Sequence, residues 1–260
     1  MQDARTRSIA VTGAASGLGR AIVARLRRSG ATATGIDLRE GDIAADLGSA
    51  SGRRDAVDAI LERCDRRLDA VVTAAGVGPY REPELVTAVN YFGTVDLLDA
   101  LFPFLQRGSD PAALAVSSIG AFFGANVSRE LVAACLSGDE AGALEVSRSC
   151  TGSQAYVSVK RALVVAVRSR AVTWGQAGTR LNVLVPGNMS TPMLEGVYAA
   201  PGLGEQTRQL PIPLGRDGEA DEVASTAAFL VGKESPYLHG AMIPVDGGVL
   251  AALRPDPFEG

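Results

Sequence analysis

Short, uniformly apolar runs alternate with longer amphipathic stretches along the whole chain. The runs cover residues 8–12, 31–36, 70–75, 112–116, 181–185 and 241–245. They are continuous rather than alternating, which is the pattern of strands buried on both faces of a parallel sheet. A brief further strand is expected at 43–45. Between the runs, residues 18–28, 53–66, 83–106, 153–176 and 219–231 carry helical periodicity. Strand and helix in regular alternation predict an α/β fold. It is expected to be a single domain over 1–260, a Rossmann-type doubly wound parallel sheet of about seven strands with helices on both faces.

Two stretches break this rhythm. Residues 122–150 form a helical insert between a strand and the next helix, with Ser128 and Asp139 as expected N-caps and Ser137-Gly138 as the break between two short helices. Residues 187–218 are rich in Gly and Pro and too long for an ordinary connection, so a substrate loop or lid is expected there. Met193, Leu194, Val197 and Tyr198 fall on one stripe if that segment is helical, a surface suited to covering an apolar substrate.

Composition narrows the function. Of the 260 residues, 47% are hydrophobic and 21% charged, and the net charge is −4 with both signs interspersed. That supports a full core and gives no basic footprint for nucleic acid. The pairs Arg27-Arg28, Arg53-Arg54 and Arg66-Arg67 read as solvated charges near helix ends. No apolar run is long enough to predict a membrane span, and the first residues lack the apolar core of a secretion signal. Cys64, Cys135 and Cys150 are odd in number and widely spaced, which argues against a disulfide framework or metal site and fits a reducing cytoplasm. His239, the only histidine, sits in a Gly-containing turn and reads as a turn or solvent residue.

Candidate chemistry begins at the first strand, which runs straight into Thr12-Gly13-Ala14-Ala15-Ser16-Gly17-Leu18-Gly19 as a helix opens. Glycines allow a tight turn and close approach of a pyrophosphate to the helix N-terminus. Asp37 ends the second strand eighteen residues after Gly19, where a carboxylate accepts from both ribose hydroxyls and repels a 2′-phosphate. Ser16 adds no basic side chain to the loop, so NAD is expected over NADP. Asp46 is placed to reach the adenine amino group, or is an ordinary surface acid.

Tyr156 and Lys160 lie i, i+4 on one helix face. An ammonium nearby favours a phenolate and equips the tyrosine for proton transfer. Ser117-Ser118 end a buried strand at the carboxyl edge, where a hydroxyl can hold a substrate oxygen. Asn90 lies within a helical stretch where Asn is energetically poor, as at a local distortion serving a site. The loop at Pro186-Gly187 and Thr191 is placed to close on the nicotinamide amide.

Together these residues resemble the short-chain dehydrogenase/reductase family over nearly the whole chain. The resemblance is carried by TGAASGLG (12–19), Asp37, TAAG (73–76), Asn90, Ser118, Tyr156, Lys160, PGNMSTP (186–192) and VDGG (245–248). It implies Tyr156 as acid/base, Ser118 as the group that orients substrate, Lys160 as ribose ligand and tuner of Tyr156, and Asn90 as anchor of a water in a proton relay. It implies cofactor contacts at Gly13, Ser16, Gly17, Leu18, Gly19, Asp37, Asp46, Leu47, Ala75, Gly76, Tyr156, Lys160, Pro186, Gly187 and Thr191, with no metal. Two departures stand out. Thr73 and Ala74 replace asparagines common in the family, and Ser118 and Tyr156 are 38 positions apart, well beyond the usual separation. The long insert resembles members acting on hydroxysteroids and aromatic alcohols. The expectation is therefore NAD-linked interconversion of a hydrophobic secondary alcohol and its ketone. An insert lying over the catalytic helix favours a dimer over the tetramer common in the family. A non-catalytic NAD-binding sensor, and a lyase or epimerase on the same scaffold, remain as other classes, against which the intact Ser, Tyr, Lys and Asn set weighs.

Overall fold

The structure is a computed structural model that describes residues 6–256. Part of the leader region considered above lies outside the described residues. The chain begins with β1 (Ser8–Thr12), α1 (Gly17–Arg28), β2 (Thr32–Asp37), β3 (Ile43–Ala44), α2 (Ala50–Arg63) and β4 (Ala70–Thr73). Then come α3 (Pro83–Thr87), a π-helical turn at Ala88–Phe92, α4 (Gly93–Leu105) and β5 (Ala112–Val116). The insert supplies α5 (Arg129–Ser137) and α6 (Glu140–Ser147), ahead of the long α7 (Gly152–Gln176) and β6 (Arg180–Pro186). The expected lid holds β7 (Met189–Ser190), α8 (Pro192–Ala199), α9 (Leu203–Arg208) and β8 (Gly218–Glu219). The described chain closes with α10 (Ala220–Val231), β9 (Met242–Val245) and α11 (Val249–Leu253).

Seven strands form one parallel sheet in the order β3-β2-β1-β4-β5-β6-β9. The order reverses beside β1, so the carboxyl ends of β1 and β4 diverge into a crevice, the place where open α/β sheets bind ligands. β1, β4, β5 and β6 are almost wholly buried, as their unbroken apolar runs require. One core packs α2, α4 and α7 against one face, and another packs α1 and α10 against the other.

Several boundaries differ from the sequence expectation for local reasons. α2 begins at Ala50 because Ser49 caps it, accepting from the Gly52 N–H at 3.1 Å. It stops at Arg63, and Asp65 and Arg66 then take positive φ. The expected helix 83–106 is broken by the π turn that contains Asn90. From Pro83 to Leu105 this segment is long and apolar enough to cross a membrane by length and composition, contrary to the reading of short runs, but 67% of its most apolar window is buried in the core. Arg53 is not a solvated charge. It is 3% exposed and pairs with Asp96 of α4 and Glu140 of α6, because the insert covers it. His239 is neither a free turn residue nor catalytic in position. Its Nδ1 accepts from the Leu181 N–H at 3.0 Å and its Nε2 faces the Ala171 carbonyl at 2.6 Å, strapping β6 to α7.

The insert folds as its caps predict. Ser128 and Asp139 accept from Leu131 and Gly142 N–H groups, and Gly138 ends α5 in the left-handed conformation. Leu131 and Cys135 are fully buried, and Ser158 of α7 accepts from the Ser128 N–H. The lid is stapled at its base by the pairing of β7 with β8.

Candidate active site

A cleft of about 490 Å³ opens at the carboxyl edge of the sheet. One end is built from the glycine loop. Gly13 has φ +73°, and a Cβ there would stand 2.8 Å from backbone atoms of Ala74 and Ala75. Gly19 lies so close under Gly13 that no side chain fits. These contacts hold the loop flat against the start of α1, leaving its N-terminal N–H groups facing the cleft. Asp37 is fixed by the same loop, since its carboxylate accepts from the Ala15 N–H at 2.9 Å and from the Leu38 N–H at 2.7 Å. Asp46 accepts from the Gly48 N–H at 2.9 Å. Among the described residues, the charged side chains lining this end are those of Asp37 and Asp46, so a ribose diol is welcomed and a 2′-phosphate is not. The residues present fit an NAD-type dinucleotide.

The other predicted residues meet in the middle of the cleft. Ser118, Tyr156, Lys160, Pro186, Gly187 and Thr191 all line it, as do Ser16, Gly17, Leu18, Leu47, Ala75 and Gly76. The two adjacent serines separate cleanly. Ser117 is buried and donates to the Lys160 carbonyl at 2.9 Å, pinning α7 to β5. Ser118 faces the cleft and hydrogen-bonds Tyr156. Thr191 caps α8.

The electrostatics of Tyr156 and Lys160 differ from the sequence expectation. Burial pushes the Tyr156 phenol up, and only the Ser118 hydrogen bond pulls it down. Burial also pushes the Lys160 ammonium down to about 8. Its Nζ donates to the Val116 carbonyl at 2.9 Å and stands 5.8 Å from the Tyr156 ring centre. Burial thus favours the neutral form of both groups, although an amine near 8 still carries its proton at neutral pH.

Asn90 is the exception among the four catalytic candidates. Its side chain is fully buried, does not line the cleft, and is spent on one backbone unit: Oδ1 accepts from the Val77 N–H at 2.8 Å and Nδ2 donates to the Val77 carbonyl at 3.0 Å. The π turn aims it there. Together with the Thr12 hydroxyl, which accepts from the Ala75 N–H at 2.9 Å, it supports the β4 loop in the absence of the family's asparagines. Tyr198 also leaves the predicted apolar stripe, since its hydroxyl donates to Asp217 at 2.7 Å, while Met193, Leu194 and Val197 do line the cleft. Sequence reasoning missed Phe123, Val157, Leu203, Thr207 and Leu210, apolar or small residues with no chemistry to mark them, and Arg81.

A phenol, an amine and a hydroxyl gathered beside a dinucleotide crevice define an oxidoreductase acting on CH–OH groups. Residues 7–129 match the family model described as short chain dehydrogenase, and residues 140–250 match that described as Enoyl-(Acyl carrier protein) reductase. The chain belongs to the short-chain dehydrogenase/reductase family. It is 40% identical to 3-alpha-hydroxysteroid dehydrogenase/carbonyl reductase of Comamonas testosteroni, over 96% of this chain and 99% of that one. It is 30% identical to coniferyl-alcohol dehydrogenase of Pseudomonas sp. (strain HR199 / DSM 7063), over 94% and 96% of the two chains. Among solved structures, 3-alpha-hydroxysteroid dehydrogenase from Pseudomonas sp. B-0831 complexed with NADH superposes with a TM-score of 0.94 at 44% identity, covering 96% of this chain and all of that one.

Proposed function

We propose that the protein is an NAD-dependent dehydrogenase that interconverts 3α-hydroxysteroids and the matching 3-ketosteroids, with Ser118, Tyr156 and Lys160 as its catalytic residues. The observation that carries this reading is the meeting of those three side chains in one cleft, under a wall of Phe123, Val157, Met193, Leu194, Val197 and Leu210. Bound NAD supplies the hydride acceptor. Ser118 holds the substrate oxygen while the Tyr156 oxygen takes the hydroxyl proton, and reduction returns that proton along the same path. Lys160 binds the nicotinamide ribose and, when protonated, offsets the burial that raises Tyr156. Asn90 acts as a positioning residue, setting the loop after β4 through Val77. The apolar wall shuts water from the reacting carbon and favours a bulky apolar alcohol. The 40% and 44% identities to 3α-hydroxysteroid dehydrogenases support the steroid frame.

Cysteines 64, 135 and 150 form no disulfide among the described residues, which supports residence in a reducing cytoplasm. The insert lies on α7, which supports a dimer over a tetramer.

The test is NADH formation with purified protein, NAD or NADP, and a panel of 3α- and 3β-hydroxysteroids, coniferyl-type alcohols and small secondary alcohols. Turnover with NAD on 3α epimers is expected. Tyr156→Phe is expected to lose about 10²–10⁴-fold in turnover while NADH fluorescence still reports binding. Activity confined to aromatic alcohols would move the substrate, and full activity in Tyr156→Phe would remove the mechanism.

A further inference from the structure

A second, smaller pocket lies away from the cleft, between the π turn, α4, α5 and α7. It holds about 160 Å³, close to the volume of a protein cavity that admits benzene. Phe92, Val95 and Leu136 give it apolar walls, and Asp96, Asp99 and Arg170 bring charge to it. The two acid side chains are 46% and 50% exposed, so the pocket is open to solvent beside them.

Tyr91 is the polar group here that the fold does not use. It is 3% exposed, and its hydroxyl has no hydrogen-bond partner among the described residues, yet the oxygen is not sealed off. Burial pushes the phenol up to about 12, Cys135, Asp99 and Asp96 add to the rise, and Arg170 opposes it. All four of those neighbours line the pocket, so the hydroxyl faces into it. Tyr91 follows Asn90 in the π turn. That turn therefore sends one side chain to Val77 at the catalytic loop and the next into this pocket.

The charges at the pocket do not balance. Asp99 gives both its oxygens to Arg170, at 2.8 and 2.7 Å. Asp96 and Glu140 share the one guanidinium of Arg53, and of these two acids only Asp96 lines the pocket. Three carboxylates thus face two guanidiniums. The Cys135 thiol, pushed up to about 12 by burial, stays neutral. An anion is repelled here, and a neutral molecule leaves the surplus charge as it was. A metal ion finds no cluster of three ligating side chains among the described residues. A small organic cation meets every term, since its N–H groups can donate to the phenol oxygen and a carboxylate while its carbon part lies on Phe92 and Val95. We propose that this pocket binds a small alkyl- or arylammonium ion, with Tyr91 and Asp96 as its hydrogen-bond acceptors. Neither residue lines the cleft, so the site is separate from the one that takes the alcohol.

The probes are benzylammonium, benzamide and benzoate, titrated calorimetrically into the NADH-loaded full chain and into Tyr91→Phe and Asp96→Asn. The wild type is expected to bind benzylammonium saturably and about tenfold more tightly than benzamide, the value of one charge-assisted contact. Benzoate should give no binding heat. Each substitution should weaken benzylammonium by about tenfold, and added salt should weaken it in the wild type. Circular dichroism and NADH affinity check that the variants are folded. Tyr91→Phe removes one oxygen and keeps the ring, so it decides the matter should Asp96→Asn disturb the ion pairs. Absence of saturable binding in the wild type, or benzoate bound as tightly as benzylammonium, overturns the proposal. An affinity unchanged in Tyr91→Phe would place the probe elsewhere, in the cleft or on the surface, and overturns it as well.

Discussion

At the scale of single residues, the site holds its amine against the preference of the solvent. Lys160 is pushed down to about 8 by burial, from an ordinary value of 10.5. Between those two pH values the unfolded chain binds a proton that the folded chain has released, so the fold gains stability as pH rises through the window. Below about pH 8 both forms are protonated and the full cost of the buried ammonium is present. Lys160→Met removes that cost and leaves the Val116 carbonyl without its donor, two opposed effects of which only the first depends on pH. The stability of Lys160→Met relative to wild type is therefore expected to be highest below pH 8. It should decline by about 3 kcal/mol towards pH 10.5, followed by urea unfolding at a series of pH values. Parallel profiles for the two proteins would mean that the amine is solvated in the fold. Tyr156, Lys160 and Ser118 were legible as candidates because a tyrosine and a lysine one turn apart and a serine at a strand's carboxyl end could be weighed together, and the cleft gathers all three. The residue pattern could not say that Asn90 turns away from the cleft to hold Val77, since that depends on a helix distortion and a loop thirteen residues upstream.

At the scale of elements, the strands were legible because burial on both faces leaves a continuous apolar signature. Helix ends were less so. They turn on caps such as Ser49 and on left-handed residues such as Asp65 and Arg66, which leave no periodic signal. The lid shows what only tertiary contact reveals. Tyr80, from the β4 loop, and Gly196, on α8, are far apart in sequence, yet the ring rests where any Cβ at position 196 would collide with it. Glycine inside an eight-residue helix is locally unfavourable by about 1 kcal/mol against alanine, so propensity alone favours Ala there. Gly196→Ala is expected to leave thermal stability nearly unchanged and to raise KM for the alcohol about threefold to tenfold, as the contact worth roughly 1 kcal/mol is lost. Because the clash is with Tyr80, the pair Gly196→Ala/Tyr80→Ala should be less impaired than the two single changes added together. Strict additivity in steady-state kinetics would show that the two residues do not act as one closure contact.

At the scale of the whole molecule, the insert and the sheet edge decide how copies can meet. α5 lies along the groove between α4 and α7, with Leu131 and Cys135 buried beneath it, and a small pocket of about 160 Å³ remains between the three helices. Arg53 ties α6 to α2 and α4, and Arg148 ties the end of the insert to Glu84 of α3. A partner copy therefore cannot stack its α4 and α7 directly on these without first displacing a folded, ion-paired segment. β9 is an edge strand of the sheet, Phe229 of α10 is 44% exposed, and Tyr237, five residues before β9, is fully exposed. An open edge flanked by exposed aromatics is a surface that a second copy can cover. A two-fold pair joined there would satisfy one edge on each copy and close as the proposed dimer. Sedimentation velocity at micromolar concentration is expected to show a dimer, and Phe229→Asp to shift it to a monomer with the fold intact by circular dichroism. A tetramer would mean that the insert does not block the α4/α7 face. A dimer that survives Phe229→Asp would place the interface elsewhere, and the covered groove between α4, α5 and α7 would then be the first surface to mutate.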